Sequence, residues 1–309
     1  MNLMNSAQKL LEIEKLAKSL ECRTLTNEPL SNHTTFKVGG ICDILIYPNS
    51  AQSLARLLEE CKALSLNSII LGNGSNVLFN DNGFRGVVFV ISHDLGSVSV
   101  DDNVITVESG ASLAKLCLTA LDNELTGLEF AYGIPGTVGG AVYMNAGAYG
   151  GEIKDVIKTV IAIDGNGKCV TFTRDELDMG YRRSVFTDKD YVILSASFEL
   201  SHGDKTQIRA KMDELMSRRK EKQPLEYPSA GSTFKRPEGT YAGLVIEQSG
   251  LKGYTVGGAQ VSEKHANFVI NKGGATASDI IKLICDVKTT VKEKTGYDLE
   301  CEVKLIPDC

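Results

Sequence analysis

Between Gly127 and Glu152 the chain reads GLEFAYGIPGTVGGAVYMNAGAYGGE, with glycine at 127, 133, 136, 139, 140, 147, 150 and 151. A glycine held in a fold gives up more backbone freedom than alanine, at roughly 0.5–1 kcal/mol each. A segment carrying so many suits a backbone that comes very close to something flat or phosphorylated. A glycine-rich packing loop is the plain alternative. A shorter run, LGNGSNVL from Leu71 to Leu78, follows the strand-like SIIL. There Gly72 and Gly74 are spaced to turn backbone amides toward an anion, with Asn73, Ser75 and Asn76 as further donors. Val77 stands where a Rossmann fingerprint needs its third glycine, no helix pattern opens after it, and the lysine of a phosphate-binding P-loop is missing. Read alone, that run is a tight turn.

Around these loops the apolar pattern alternates between periods. ICDILIY (41–47), SIILG (68–72) and GVVFVIS (86–92) read as strands, and SAQSLARLLEECKAL (50–64) as a helix. VITVESG, DVIKTVIAID, KCVTFT and YVILSASFEL read as further strands, with ASLAKLCLTALDNE as a helix among them. Thr173 and Glu176 have capping-box spacing ahead of a short helix. A charged helix over 204–226 ends before Pro224 and leads to a third region. That region holds the helix YAGLVIEQSG, the strand HANFVIN, a helix from Thr276 to about Lys294, and the strand LECEVKLI. At the start, Leu10, Leu11, Leu16, Ala17 and Leu20 form one face of an amphipathic helix, and no signal peptide is read there.

A chain of 309 residues is expected to divide into two or three subdomains. A net charge of −6 argues against a nonspecific nucleic-acid partner, which needs a basic face. No apolar run reaches membrane-spanning length. The eight cysteines form no CxxC pair, so no metal site is expected and the thiols are expected to be reduced, in a cytoplasmic setting. The stretch YPSAGSTFKRP, from Tyr227 to Pro237, reads on its own as a surface turn between Pro228 and Pro237. In LECEVKLI a strand puts Glu300, Glu302 and Lys304 on one face, and the pattern does not choose between the two glutamates.

TTFKVGG, LGNGSNVL, GIPGTVGGAVYMNAGAYG, GYRRSVF, PSAGSTFKRP and HANFVIN occur in this order. Together they resemble the UDP-N-acetylenolpyruvoylglucosamine reductases over about 32–307. The resemblance implies an α+β fold: two subdomains of the vanillyl-alcohol-oxidase (PCMH) FAD-binding type (31–98 and 99–222) with a C-terminal α+β substrate domain (223–309), after an N-terminal helix (1–30). It implies noncovalent FAD, with NADPH as hydride donor and a UDP-sugar as substrate. Leu71, Gly72, Asn73, Gly74, Ser75 and Asn76 would face the FAD pyrophosphate. Gly133, Ile134, Pro135, Gly136, Thr137 and Gly140, then Asn145, Ala146, Gly147 and Ala148, would run along pyrophosphate and flavin. TTFKVGG would line the adenine-ribose side or brace the first loop. No long insertion follows GYRRSVF, which resembles the shorter class lacking a lid tyrosine.

The resemblance also implies the chemistry. Hydride addition to the terminal carbon of the enolpyruvyl group leaves negative charge on the adjacent carbon, spread into the carboxylate. Arg182 would hold that carboxylate, Glu302 would work beside it, and Ser232 would supply the proton. Arg183 is the neighbour expected to face solvent. Tyr181, Gln223, Tyr227, Lys235, Arg236, His265 and Asn267 are candidates for the diphosphate, uridine and sugar. The expected enzyme is a monomer. Two other readings suit some of these residues: a flavin oxidase of the same fold, and a noncatalytic flavin- or nucleotide-sugar-binding module.

Overall fold

The computed structural model describes residues 5–165 and 167–307. The chain forms two compact units, neither of them continuous in sequence. The first contains the residues up to Thr26, Asp43–Asn73 and Gly86–Arg218. The second contains Asn27–Cys42, Gly74–Arg85 and the chain from Arg219 onward.

The first unit opens with the helix Ser6–Ser19, whose capping box joins Asn5 and Gln8 through two 2.9 Å hydrogen bonds. It buries Ile13 and Ala17 in one cluster with Leu54, Leu57 and Cys61 of the helix Ala51–Ala63. Leu11, expected on the apolar face, is 48% exposed, whereas Ile13 is 0% exposed. The apolar stripe runs through Leu10, Ile13, Ala17 and Leu20, steps of three and four that put Leu11 on the far side.

Strands Arg23–Pro29, Ile41–Tyr47, Phe84–Val90 and Ser68–Leu71 form a sheet in that order. Ser68–Leu71 lies parallel to its neighbour with Leu71 opposite Val90, so both strands end together. A second, antiparallel sheet has the order Cys169–Thr173, Ile157–Asp164, Tyr191–Glu199, Val104–Glu108, Val98–Asp101. Five of its inward residues, Ile105, Val107, Val160, Ala162 and Phe198, are 0% exposed. They share a core with Leu113, Leu116 and Leu121 of the helix Leu113–Asp122. The glycine-rich segment is not loop throughout: Val138–Tyr143 is a short helix capped by Thr137, and it buries Val138, Ala141 and Val142. The expected helix after Thr173 is a single 3₁₀ turn, Asp175–Leu177, where Glu176 accepts from Thr173 N (2.8 Å) and Oγ1 (2.7 Å).

The helix Lys205–Lys222 carries the chain into the second unit. There the short strands Thr255–Val256, Ala259–Val261 and Val269–Asn271 form a meander. The helix Ala277–Thr295 packs into the same core through Ile280, Leu283 and Val287. Thr276 and Asp279 form its capping box, Asp81 accepts from Ala277 N (2.7 Å) and Ser278 N (2.9 Å), and Gly296 at φ +79° ends it. The expected strand over LECEVKLI is shorter, with only Lys304–Ile306 in a ladder, parallel to Val77–Phe79. Cys301 makes a single bridge to Phe234, because this segment changes partners along its length. The alternation survives: Leu299 is 2% and Val303 3% exposed.

Ile13→Ala is expected to lower stability by roughly 2–5 kcal/mol. Leu11→Ala on the same helix is expected to change it by less than about 0.5 kcal/mol. Urea unfolding midpoints of the two variants check this, and equal losses would mean the buried face is misassigned.

Candidate active site

In the first unit the two glycine runs meet. A Cβ at Gly72 would lie 2.4 Å from Thr137 Oγ1. Asn73 Nδ2 donates to the carbonyl of Pro135 at 3.0 Å. The second run is in turn fastened to the end of strand Val104–Glu108 and the turn after it. Leu113 N donates to Gly136 O (3.0 Å), Val138 N to Ala111 O (2.8 Å) and Gly139 N to Ser109 O (2.9 Å). Gly110 admits no side chain either, since its Cβ would lie 1.9 Å from Ser92 O.

These contacts leave a cleft of about 330 Å³. Its walls are residues 72–73, 90–93, 134–137, Gly110, Ser112 and Ala114. That volume falls among small-molecule sites, which run from roughly 300 to 1,000 Å³. Main chain of two glycine runs, with the apolar ends of Val90 and Ile91 beside it, suits part of a dinucleotide such as FAD. Gly72, Asn73, Ile134, Pro135, Gly136 and Thr137 lie in this wall, and Gly133 and Gly140 flank it in sequence. Leu71 is buried at the strand end behind it. Residues 90–93 and 110–114 were not singled out from sequence. The available signal was the Ser-Gly pair closing VITVESG, a glycine at a strand end.

Further along the first unit, Asn145 is fully buried at φ +42°. Its amide donates to Glu152 Oε2 (3.0 Å) and Gly180 O (2.8 Å) and accepts from Lys154 N (2.9 Å). Asn145 therefore staples NAGAYG to GYRR. Burial raises the Glu152 carboxyl, but hydrogen bonds from Lys154 and Asn145 and the charges of Lys154 and Arg182 outweigh it and hold Glu152 below its usual value. Ala146 is held by N–H donation to Ala141 O at 2.8 Å. Arg182 sits at φ +54°, an uncommon conformation for a residue with a Cβ. Its Nη2 donates to Gly147 O at 3.2 Å, and its guanidinium lies 5.0 Å from the Tyr181 ring centre. Arg183 instead pairs with Asp178 (2.6 Å) and Asp188 (3.5 Å), with 55% of its side chain exposed. The two adjacent arginines thus differ in kind.

In the second unit Gly74 has φ +60°, and a Cβ there would lie 2.1 Å from His33 O. Its carbonyl accepts from Thr35 N (3.1 Å), and Thr35 Oγ1 donates to Ser229 O (2.6 Å). TTFKVGG therefore braces both the first glycine run and the serine segment. The Ser75 hydroxyl has no partner among the described residues. Asn76 Nδ2 donates to Glu302 O (3.1 Å), and Asn76 O accepts from Lys304 N (3.0 Å). Asn76 thus ties the loop to the segment that carries Glu302. His33 Nε2 lies 2.9 Å from Glu28 Oε1.

Ser232 follows Gly231, which has φ +75°. Its hydroxyl is half-buried and makes no hydrogen bond among the described residues. The next residue, Thr233, is 0% exposed and accepts from Glu302 N at 2.8 Å, so Ser232 and Glu302 sit on cross-braced segments. Between them in the brace, Cys301 Sγ donates to Val303 O (3.2 Å), and burial pushes its thiol up to about 11. Lys235 pairs with Glu300. Arg236 stacks on Tyr241 at 4.1 Å. Tyr227 lies under Lys272 Nζ at 4.7 Å, and Gln223 Oε1 accepts from Arg219 Nε at 2.8 Å. Burial lowers the His265 imidazole, whose Nδ1 faces Asn267 N at 3.3 Å. Asn267 is 8% exposed, and its amide is engaged with the Phe234 peptide.

Among the described residues all cysteines are free and no cluster of His, Cys, Asp or Glu is arranged for a metal ion. No described helix is long and apolar enough to cross a membrane.

The fold and the cleft define an α+β flavoprotein: a family model described as an FAD binding domain matches residues 42–173, which contain the cleft. A second model, described as the C-terminal domain of UDP-N-acetylenolpyruvoylglucosamine reductase, matches 223–306, the stretch with Ser232, Asn267 and Glu302. The chain is 52% identical to the UDP-N-acetylenolpyruvoylglucosamine reductase of Clostridium novyi (strain NT), over 95% of each chain. It is 48% identical to that of Caldanaerobacter subterraneus subsp. tengcongensis, over 95% of this chain and 97% of the other. A crystal structure of the reductase from Thermus caldophilus superposes with a TM-score of 0.78 at 33% identity, covering 92% of this chain and 98% of that one. The chain belongs to the UDP-N-acetylenolpyruvoylglucosamine reductase family.

Gly74→Ala forces a Cβ onto the His33 carbonyl at a left-handed φ. We expect a loss above about 2 kcal/mol, larger than most single substitutions. Thermal melting checks this, and a melt within a degree of wild type would show that the loop does not need the glycine.

Proposed function

We infer that the chain reduces UDP-N-acetylglucosamine enolpyruvate to UDP-N-acetylmuramate, with FAD as the redox cofactor and NADPH as hydride donor, in peptidoglycan synthesis. The proposal for its residues follows from the two units taken separately. In the first, Gly72, Asn73, Ile134, Pro135, Gly136 and Thr137 hold FAD, with Gly133, Gly140 and the segment Asn145–Ala148 supporting the same cofactor. When bound, FAD supplies the hydride relay from NADPH to substrate. Leu71, Gly74, Ser75 and Asn76 keep the first run in place or donate to the cofactor.

The remaining work is electrostatic and acid–base. Once a hydride has added to the terminal carbon, the adjacent carbon carries charge shared with its carboxylate. Arg182 is assigned to that carboxylate because a guanidinium stays charged and binds it bidentately. Its separation from the solvated, doubly paired Arg183 supports the choice. Glu302 is assigned to the same charge as a protonated acid, which donates a hydrogen bond there. Ser232 is assigned as the proton donor to the carbon. The observation that carries this reading is the uncommitted Ser232 hydroxyl on a backbone fixed to Glu302. Thr233 is not available in the same way: it is 0% exposed and its Oγ1 accepts from Val269 N. Tyr181, Gln223, Tyr227, Lys235, Arg236 and His265 are assigned to the nucleotide sugar. The enzyme is proposed to act as a cytoplasmic monomer without nucleic-acid or membrane partners, which suits its net charge of −6.

For Ser232→Ala, stopped-flow traces are expected to show FAD reduction by NADPH within twofold of wild type. Reoxidation by the enolpyruvyl substrate is expected to slow by at least about 10²-fold, the lower end for loss of a general acid. Reoxidation at the wild-type rate would remove Ser232 from the mechanism.

A further inference from the structure

Ser232 has no side-chain anchor of its own, so its aim depends on the backbone either side of it. Upstream, Ser229 bridges to Ile270, and Asn271 N donates to Pro228 O at 2.9 Å. The chain then leaves this pairing through Ala230, Gly231 at φ +75° and Ser232. It is caught again at the next two residues. Thr233 N donates to Asn267 O (2.7 Å) and Thr233 Oγ1 accepts from Val269 N (3.0 Å). Phe234 N donates to Asn267 Oδ1 (3.0 Å), and Asn267 Nδ2 donates to Phe234 O (2.9 Å).

The Asn267 side chain therefore treats the Phe234 residue as a neighbouring strand would, taking its N–H and supplying its C=O. A side chain is needed because the backbone turns at this point: Phe268 N donates to His265 O at 2.9 Å, and the regular strand begins only at Val269. Asn267 thus uses its carbonyl and both ends of its amide on the two residues after Ser232. It is 8% exposed, Thr233 0% and Phe234 1%. The same Thr233 carbonyl receives Glu302 N. What holds Ser232 also sets its register with Glu302.

We propose that Asn267 is a positioning residue for Ser232, acting through the Thr233 and Phe234 peptides, and not a substrate ligand. The inference rests on Ser232 being the proton donor. A small misplacement of a reacting group costs up to about a hundredfold in rate, so loss of the anchor shows in one step of the cycle.

The test uses the FAD-loaded protein with Asn267→Asp, which keeps an acceptor for Phe234 N–H and loses the donor to Phe234 C=O. Four readouts are taken: FAD reduction by NADPH, substrate Kd for the oxidised enzyme, reoxidation at saturating enolpyruvyl substrate, and peptide hydrogen exchange over 229–236. Reduction and Kd are expected to stay within twofold, reoxidation to fall ten- to a hundredfold, and exchange over 229–236 to rise. In Ser232→Ala/Asn267→Asp, reoxidation is expected to be no slower than in Ser232→Ala alone, because a positioning residue has nothing left to position. A tenfold weaker Kd with an unchanged limiting rate would overturn the proposal and make Asn267 a ligand. An equal fractional loss in the Ser232→Ala background would overturn it as well. Slow Ser232→Ala beside wild-type Asn267→Asp defeats this inference alone, whereas wild-type reoxidation by Ser232→Ala defeats the proton-donor assignment beneath it. Should Asn267→Asp not accumulate with FAD, Thr233→Val and Thr233→Ser carry the test. Thr233→Ser keeps the acceptor for Val269 N–H and is expected to reoxidise at least tenfold faster than Thr233→Val; equal rates would overturn the proposal.

Discussion

Two backbone approaches too close for a Cβ underlie much of this structure. Gly72 lies against the Thr137 hydroxyl in the first unit, and Gly74 against the His33 carbonyl in the second. The chain passes from one unit to the other between them. The first approach draws the two glycine runs together and leaves a cleft walled by main chain. The second locks TTFKVGG behind the same loop, and through Thr35 behind Ser229. A methyl group at either position has to displace a neighbour within van der Waals distance.

Asparagine side chains do much of the remaining fastening. Asn73 reaches Pro135, Asn145 reaches Gly180 and Glu152, Asn76 reaches Glu302, and Asn267 brackets Phe234. Each supplies a hydrogen bond where the backbone curves away from a regular ladder. In glycine-rich chain, where side-chain packing is scarce, amides of this kind hold the shape. All four are candidates by resemblance for touching a ligand, and each has an amide atom bound to protein. The groups left uncommitted are fewer, with the Ser232 and Ser75 hydroxyls foremost.

The sequence carries the elements whose cause is local. The helix expected from Thr276 to about Lys294 is Ala277–Thr295, and its causes are local: the Thr276–Asp279 capping box starts it and Gly296 ends it. Strand alternation placed Leu299 and Val303 inward even where no ladder forms. Other features have causes that lie outside their own stretch of sequence. Leu11 and Ile13 are equally apolar; the stripe through Leu10, Ile13, Ala17 and Leu20 excludes Leu11, and the packed partner helix buries that stripe. The helix Val138–Tyr143 forms against its propensity because Thr137 caps it and the core accepts Val138 and Val142. The cleft wall at 90–93 comes from strand ends aligned in space, which no short motif records. The choice of Glu302 over Glu300 needed the family motif, because strand alternation puts both carboxylates on one face.

This chain carries out a flavin-mediated reduction of a UDP-linked enolpyruvyl ether. The most direct measurement takes the purified protein, releases and identifies its flavin with acid, and follows NADPH oxidation with and without UDP-N-acetylglucosamine enolpyruvate. The expected result is FAD as the released flavin, and one NADPH consumed per UDP-N-acetylmuramate formed, only when that substrate is present. NADPH oxidation indifferent to the substrate, or tight UDP-sugar binding by a protein that holds no flavin, would contradict it.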